Sequence, residues 1–262
     1  MLILGSPKIG KSEMFSKLPN NLIIDLEHNL RYYDSMSLTI GKQSESKIAE
    51  DFSEILNALT AQYKAKGRTD YDYITIDHSS VLDSILSHLA LRKLKKDGAK
   101  KHQLLEAQLV KIDSSIEKLT ISDFDNLPFG KAASYTVAML DFIVKSFSKL
   151  ANKTFILVGH PKQSDIKVEN SSMAISNLDM TGKRPAQLFK MIDVALGLKI
   201  VTSSDNGDKH SKLITYLLPD VNGSSTTRFD MYRRQLTIND FLINPDNTIR
   251  EKTFMLENLF PN

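Results

Sequence analysis

A phosphate-binding loop near the start of the chain constrains its fold more than any other sequence feature. Residues 5–12 read Gly-Ser-Pro-Lys-Ile-Gly-Lys-Ser and fill every fixed position of the pattern G-x-x-x-x-G-K-[ST]. An apolar run at residues 2–4 precedes the loop, and a helical stretch of about residues 11–18 follows it. These flanks are the strand and helix that the loop requires, so the sequence predicts an α/β protein that binds a nucleoside triphosphate.

The loop supplies the predicted nucleotide-binding residues. Its glycines let backbone N–H groups turn inward around the phosphates, Lys11 brings a positive charge to the outer phosphates, and Ser12 offers its hydroxyl to Mg²⁺. The alternative, a simple turn after a strand, would leave the complete motif and both of its flanks as a coincidence. The full set is Gly5, Ser6, Pro7, Lys8, Ile9, Gly10, Lys11 and Ser12.

The composition is that of a soluble globular protein. With 262 residues, 41% of them hydrophobic and 25% charged, we expect a single domain over residues 1–262. The chain has no cysteine, which excludes disulfides and thiolate metal sites. It lacks both a membrane-length apolar run and a signal-peptide pattern, so we expect a cytoplasmic protein without membrane contact. The net charge of +3 is too small to indicate a polyanion partner by itself.

Apolar, β-rich runs alternate with helical patterns, which is typical of a mostly parallel sheet with helices on both faces. The predicted strands are residues 2–4, 22–26, 73–76, 154–159, 194–201 and 213–218. Almost eighty residues separate the third strand from the fourth, and they predict a helical insertion over about residues 82–128. We expect a hairpin there with a basic turn at residues 92–102. Its second helix would carry an apolar seam of Leu105, Leu109, Ile112, Ile116 and Leu119.

Two of the predicted strands end in carboxylates. Residues 73–77 form an apolar run that ends at Asp77, a Walker B arrangement that would place this carboxylate near Mg²⁺ together with Ser12. A helix N-cap is the alternative role for Asp77. Many ring-forming ATPases have a catalytic Glu directly after this Asp, but this chain has His78, so the general base must come from elsewhere.

The second strand offers that base. It ends in Asp25 and Glu27, which period-two alternation points to the same side at the carboxyl end of the strand, beside the ligand crevice of a parallel sheet. Glu27 is therefore our candidate for orienting the water that attacks the γ-phosphate. Capping of the following helix is the alternative role for both acids.

The ends of two predicted strands resemble those of a known family. Residues 24–28, Ile-Asp-Leu-Glu-His, are similar to the strand-end motif of RecA-type recombinases, whose Glu is the catalytic base. Residues 155–160 end in His160, where RecA proteins place a γ-phosphate-sensing Gln. The resemblance implies a three-layer RecA-like P-loop NTPase, with Glu27, Lys11 and His160 as catalytic residues and ATP and Mg²⁺ as cofactors. It is greatest to compact phage-encoded RecA-like ATPases, a group that includes single-strand annealing and recombination proteins, and implies a location in the host cytoplasm.

The same resemblance implies action on single-stranded DNA in phage recombination, repair or replication. The segment after His160 corresponds to a mobile DNA-contacting loop, which makes Lys162 and Lys167 candidate phosphate contacts. A plain exposed loop is the alternative, because acidic residues are interspersed and no aromatic side chain is available for stacking. The expected hairpin tip offers further candidates, although a solvated tip would look the same. These are Lys95, Lys96, Lys100 and Lys101.

Assembly is a further expectation. Lys183, Arg184 or Arg228 could supply a cationic finger to a neighbouring subunit's γ-phosphate, so we expect a homo-oligomer. Single-strand-binding or replication proteins are the expected protein partners. The alternative function is an ATP-dependent switch or assembly factor for a protein partner, without direct DNA binding. A small-molecule kinase fits less well, because Glu27 is placed to activate water.

Overall fold

The computed structural model describes residues 1–6, 10–27, 30, 35–40, 43–102, 105, 115–168, 171–205, 208–217 and 241–242. Its strands are β1 (Leu2–Gly5), β2 (Asn21–Asp25), β3 (Ser37–Thr39), β4 (Tyr73–Asp77), β5 (Thr154–Gly159), β6 (Pro161–Val168), β7 (Ser171–Leu178), β8 (Ala195–Asp205), β9 (Asp208–Leu217) and β10 (Phe241–Leu242). Its α-helices are α1 (Lys11–Ser16), α2 (Glu45–Lys66), α3 (Ser79–Asp97), α4 (Ile121–Asp125), α5 (Lys131–Leu150) and α6 (Arg184–Met191). Short 3₁₀ turns lie at Ala99–His102 and Pro128–Gly130.

Eight strands form one sheet in the order β10-β9-β8-β1-β5-β4-β2-β3. The pairs from β8 to β3 are all parallel, whereas β9 and β10 add antiparallel to one edge. All six predicted strands are present, and the predicted mostly parallel α/β fold is confirmed. The sequence did not predict β3 or β10, which are three and two residues long.

The core fills both faces of the sheet, as a parallel sheet requires. Alternation along β1 divides its side chains between the faces: Leu2 and Leu4 pack in the larger cluster, whereas Ile3 packs in the smaller one. The larger cluster is covered by α2, α3 and α5, where Phe52 and Phe147 lie with ring centroids 5.7 Å apart. Each such fully buried side chain stabilises the fold by about 1.5–3 kcal/mol. The smaller cluster is covered by α1, so the layers are helix, sheet and helix.

The helix after the phosphate loop is tied to the sheet by a buried polar contact. Gly10 caps α1 with a φ of 90°, a conformation that a residue with a Cβ rarely adopts. At the other end, Asn21 donates from Nδ2 to the carbonyl of Phe15 at 2.9 Å and accepts from Oγ1 of Thr75 at 3.0 Å. The C-terminal end of this short helix is therefore fixed relative to β2 and β4.

The strand ends that carry the candidate residues lie side by side. β1 lies between β8 and β5, and both neighbours are parallel to it. The sheet extends through β9 and β10 on the β8 side and through β4, β2 and β3 on the β5 side. A topological switch point therefore lies where the phosphate loop leaves Gly5. The register aligns Leu4 with Gly159 and Asp25 with Asp77. The carboxyl ends of β1, β5, β4 and β2 therefore open onto one crevice.

The structure corrects two sequence expectations. Residues 92–97 are not part of a turn, because α3 continues to Asp97 and only residues 99–102 form a 3₁₀ turn. Ile116 and Leu119 are buried but lie in and beside a turn rather than on a helical seam, while Leu109 and Ile112 fall outside the described residues. The helical insertion over residues 82–128 stays a prediction.

The segment after His160 is also different from the expected loop. β6 and β7 pair antiparallel from Pro161↔Leu178 to Val168↔Ser171 and form a separate two-stranded hairpin. Its polar, nearly alternating sequence lacks the apolar runs that identified the other strands. Among the residues that the structure describes, no helix combines the length and the apolar character that a membrane span requires.

Candidate active site

Lys11 lies buried at the centre of the crevice. Its Nζ donates to the carbonyl oxygens of Gly5 at 2.6 Å and Ser6 at 2.9 Å, and only 6% of the residue is exposed. Burial lowers the pKa of Lys11 to about 8, although the carboxylates of Asp77 and Glu27 oppose the shift. The side chain is therefore charged at pH 7 and held against its own loop. Gly5, Ser6, Gly10 and Ser12 are described beside it, whereas Pro7, Lys8 and Ile9 lie outside the described residues.

Ser12 and Asp77 form the pair expected around a magnesium ion. The Ser12 hydroxyl donates to Oδ2 of Asp77 at 2.7 Å, and Asp77 is 5% exposed. Burial raises the pKa of Asp77, while the hydrogen bond from Ser12 opposes that shift. A desolvated carboxylate and a hydroxyl are hard oxygen donors, which fit Mg²⁺ better than they fit softer cations.

Asp25 has a structural role in the segment that follows β2. Its two carboxylate oxygens accept from the backbone N–H of Glu27 at 3.0 Å and of Leu30 at 2.9 Å. The Asp25 side chain is fully buried and binds the backbone of the described residues directly after β2. Asp25 thus sets the position from which Glu27 projects.

Glu27 contacts the histidine that follows β4. Nε2 of His78 lies 3.0 Å from Oε1 of Glu27, with 33% of the Glu27 side chain exposed. Nδ1 of His78 lies 3.0 Å from Oγ of Ser80. The pKa of His78 is lowered to about 4, mainly by burial and further by His160 and Lys11. The neutral imidazole can still donate from Nε2 to Glu27 while Nδ1 accepts from Ser80.

His160 lies between the phosphate loop and His78. Its Nδ1 is 2.9 Å from the carbonyl oxygen of Gly5 and 3.4 Å from Nζ of Lys11. The rings of His160 and His78 have centroids 4.4 Å apart at 51°. Burial, followed by the charge of Lys11, lowers the pKa of His160. A group in contact with the loop lysine is well placed to respond to the outer phosphate of a nucleotide.

Gly159 permits this placement of His160. A Cβ at position 159 would lie 2.5 Å from Oγ of Ser79, 2.6 Å from Cδ1 of Leu178 and 2.9 Å from Cδ2 of Leu4. Any side chain would therefore force apart β1, the start of α3 and the end of β7. The glycine allows these elements to meet directly behind the site.

The candidate DNA contacts lie outside this crevice. Lys162 is the second residue of β6, is 65% exposed and pairs with Asp179 at 3.7 Å. Lys167 stands near the hairpin tip, where it is paired in register with Ser172. The four lysines of the expected helical tip are exposed, two in the last turn of α3 and two in the 3₁₀ turn, where Lys101 bonds Asp97 at 3.0 Å.

Arg184 is engaged within its own chain. Its Nη1 donates to Oδ1 of Asp83 at 2.7 Å, and the two side chains are 17% and 8% exposed. The other oxygen of Asp83 accepts from the N–H of Thr181 at 2.9 Å and its Oγ1 at 2.8 Å. This pairing disfavours Arg184 as a finger to a neighbouring subunit. Lys183 is exposed beside it, and Arg228 lies outside the described residues.

Sequence reasoning missed two of these relationships. Asp83 carries no sequence signal, because no local pattern links it to Thr181 and Arg184, about one hundred positions away. The pairing of His78 with Glu27 follows from the sheet register. Asp25 pairs with Asp77 at the ends of β2 and β4, so the residues that follow these two strands lie side by side. That register follows only once β2 and β4 are known to be neighbours.

The sequence profile of the AAA domain family matches residues 1–228. The chain belongs to this family. The match spans the phosphate loop and the carboxyl ends of β2, β4 and β5, which carry the site. This AAA domain is therefore a P-loop ATPase, and the predicted nucleotide-binding activity is confirmed at that level.

No curated protein sequence matches this AAA domain. Among solved structures, it is similar to a KaiC-like protein from the hyperthermophilic archaeon Pyrococcus horikoshii, with a TM-score of 0.38 and 10% sequence identity. The alignment covers 95% of this chain and 88% of that chain. A likeness at this level carries no information about function.

Proposed function

We propose that this AAA domain hydrolyses ATP and uses its nucleotide state to control binding of single-stranded DNA by the β6–β7 hairpin, in phage recombination, repair or replication. The observation that carries the proposal is the position of His160. It contacts the phosphate loop through Gly5 and directly precedes the first residue of the hairpin. A change at the outer phosphate thus reaches the hairpin through one residue.

Hydrolysis is assigned to the crevice residues. Lys11 would neutralise charge on the outer phosphates, and Glu27 would orient water and accept its proton. Ser12 and Asp77 would hold Mg²⁺, which supplies charge neutralisation on the phosphate oxygens. His78 holds the Glu27 carboxylate in place and, being neutral, adds no positive charge that would weaken the base.

Coupling to DNA is assigned to the base of the hairpin. The N–H of Asp179 donates to the carbonyl of His160 at 3.1 Å. This bond joins the residue before β6 to the residue after β7 and so closes the base of the hairpin. Lys162 and Asp179 form an exposed ion pair there, which contributes little energy and can exchange for a phosphate contact. A shift of His160 would therefore alter the position and charge of the hairpin base together.

The alternative is an ATP-dependent switch for a protein partner without DNA contact. The pairing of Lys162 with Asp179 and of Lys101 with Asp97 favours it, because each pair reduces the net positive charge offered to a polyanion. The two functions differ in whether ATP changes affinity for an oligonucleotide.

Fluorescence anisotropy of a labelled single-stranded oligonucleotide tests the proposal. Binding should be tighter with a non-hydrolysable ATP analogue than without nucleotide, and it should weaken steeply with salt because phosphate contacts release counterions. Lys162→Ala with Lys167→Ala should reduce the salt slope and the nucleotide effect. Lys145→Ala is the matched control, since Lys145 is 72% exposed and paired with an acid, Asp141, on α5. ATPase activity without any oligonucleotide binding at low salt would favour the protein switch.

A further inference from the structure

Three side chains in the crevice form a compact set of nitrogen and oxygen ligands, which we call the histidine cluster: Glu27, His78 and His160. One imidazole nitrogen from each histidine and one oxygen of Glu27 all lie within 4.8 Å of one another. They come from three different strand ends, so the sheet brings them together. The Ser12–Asp77 pair is a separate set that contains only oxygen donors.

The hydrogen bonds around both rings suit metal coordination. Because the carbonyl of Gly5 only accepts, its 2.9 Å contact with Nδ1 of His160 favours a proton on Nδ1 and a lone pair on Nε2. The 3.4 Å contact from Nζ of Lys11 to the same Nδ1 favours the other tautomer, but it is the longer of the two contacts. Ser80 beside Nδ1 of His78 can donate or accept, so it supports either tautomer and allows Nε2 to become the ligand.

We propose that the histidine cluster binds Zn²⁺ and that this binding inhibits ATP hydrolysis. Two imidazoles and one carboxylate are a ligand set that zinc uses with water in the fourth position. Tetrahedral zinc ligands lie about 3.3 Å apart, so small rotations of the partly exposed Glu27 side chain would complete the site. The inhibitory part rests on the proposed function, because it follows from Glu27 being the base.

Selectivity between the two metal sites follows from their donors. Imidazole nitrogens favour Zn²⁺, whereas Mg²⁺ prefers the oxygens of Ser12 and Asp77. Bound zinc would withdraw Glu27 from water and His160 from the nucleotide, while leaving Lys11 available to ATP. The cluster would thus make the ATPase sensitive to transition cations without blocking nucleotide binding.

Zinc binding is tested first without nucleotide. Isothermal titration calorimetry of the full chain with Zn²⁺ should show one binding site. Co²⁺ added instead of Zn²⁺ should give the intense visible absorption of tetrahedral coordination. His78→Ala and His160→Ala should each weaken binding by about tenfold or more. His88→Ala is the control, because it removes another His–Glu pair, His88 with Glu45 at 3.6 Å, outside the cluster. Glu27→Gln, on a partly exposed side chain, serves if a histidine variant does not fold.

Inhibition is tested second, at saturating Mg²⁺ and ATP. Zinc should lower kcat of the wild type and of His88→Ala at the same concentrations that fill the site. Unchanged zinc binding in both histidine variants and in Glu27→Gln would overturn the zinc site. Displacement of the zinc by excess Mg²⁺ would overturn it as well. Failure of Glu27→Gln to lower hydrolysis in magnesium alone would instead overturn Glu27 as the base, so the two results are distinguishable.

Discussion

Nε2 of His78 lies 3.0 Å from Oε1 of Glu27, so the proposed base is held by the residue that directly follows the Walker B aspartate. In many ring-forming ATPases, a Glu occupies that position. Here the neighbouring strand supplies the carboxylate, and the histidine orients it. The proposed base and the histidine that contacts it therefore follow two adjacent strands, β2 and β4.

Glu27→Gln should keep nucleotide affinity and lower kcat by about 100-fold or more, because the amide retains the shape of the side chain but cannot accept a proton. Steady-state phosphate release and equilibrium binding of a fluorescent ATP analogue measure the two quantities. An unchanged kcat would transfer the role of base to the neutral imidazole of His78.

Lys11→Met should weaken ATP binding by about 10–100-fold, which is the effect expected for losing hydrogen bonds to a charged group. Methionine fills a similar volume, so the buried position should stay packed and the urea midpoint should change little. Normal ATP affinity in a folded Lys11→Met variant would contradict the assignment of Lys11 to the phosphates.

Protonation of His78 should destabilise the fold in acid. Its pKa is about 4 in the folded chain against 6.5 for an ordinary histidine, so between these values the unfolded chain binds more protons. Stability should therefore fall as the pH drops from about 6.5 to 4, by at most about 3 kcal/mol from this residue. His160, whose pKa is also lowered, adds in the same direction. Urea unfolding of wild type and His78→Asn across this pH range measures how much of the loss of stability comes from His78. If the unfolding free energies of the two proteins fell in parallel with pH, His78 would not be the cause.

Arg184→Ala should destabilise the fold by about 3 kcal/mol, because it leaves the carboxylate of Asp83 buried without its cationic partner. The exposed neighbour supplies the control, and Lys183→Ala should change stability by less than about 0.5 kcal/mol. A variant at Arg184 that keeps its urea midpoint but loses ATPase activity would restore this residue as a candidate finger.

The sequence predicted the parts of the fold that depend on local pattern. The phosphate loop, its flanking strand and the buried strands β4 and β5 are visible as a motif and as apolar runs bounded by polar residues. The hairpin of β6 and β7 was missed, because its two strands form a separate sheet and their polar sequence resembles a loop. The Glu27–His78 contact depends on which strands are neighbours, and pairing between strands about fifty residues apart is not encoded in either strand alone.

The position of β1 has a consequence for how this chain acquires its activity during synthesis. Within the described sheet, β1 pairs only with β5 and β8, and not with β2, β3 or β4, which precede them in the chain. The first of these two partners, β5, begins at Thr154. A ribosome must therefore release more than half of the domain before the strand that carries the phosphate loop has a neighbour to bond. Such non-local pairing slows folding. We expect nascent chains that end before β5 to bind no ATP, although they already contain the complete phosphate loop and both carboxylate strands.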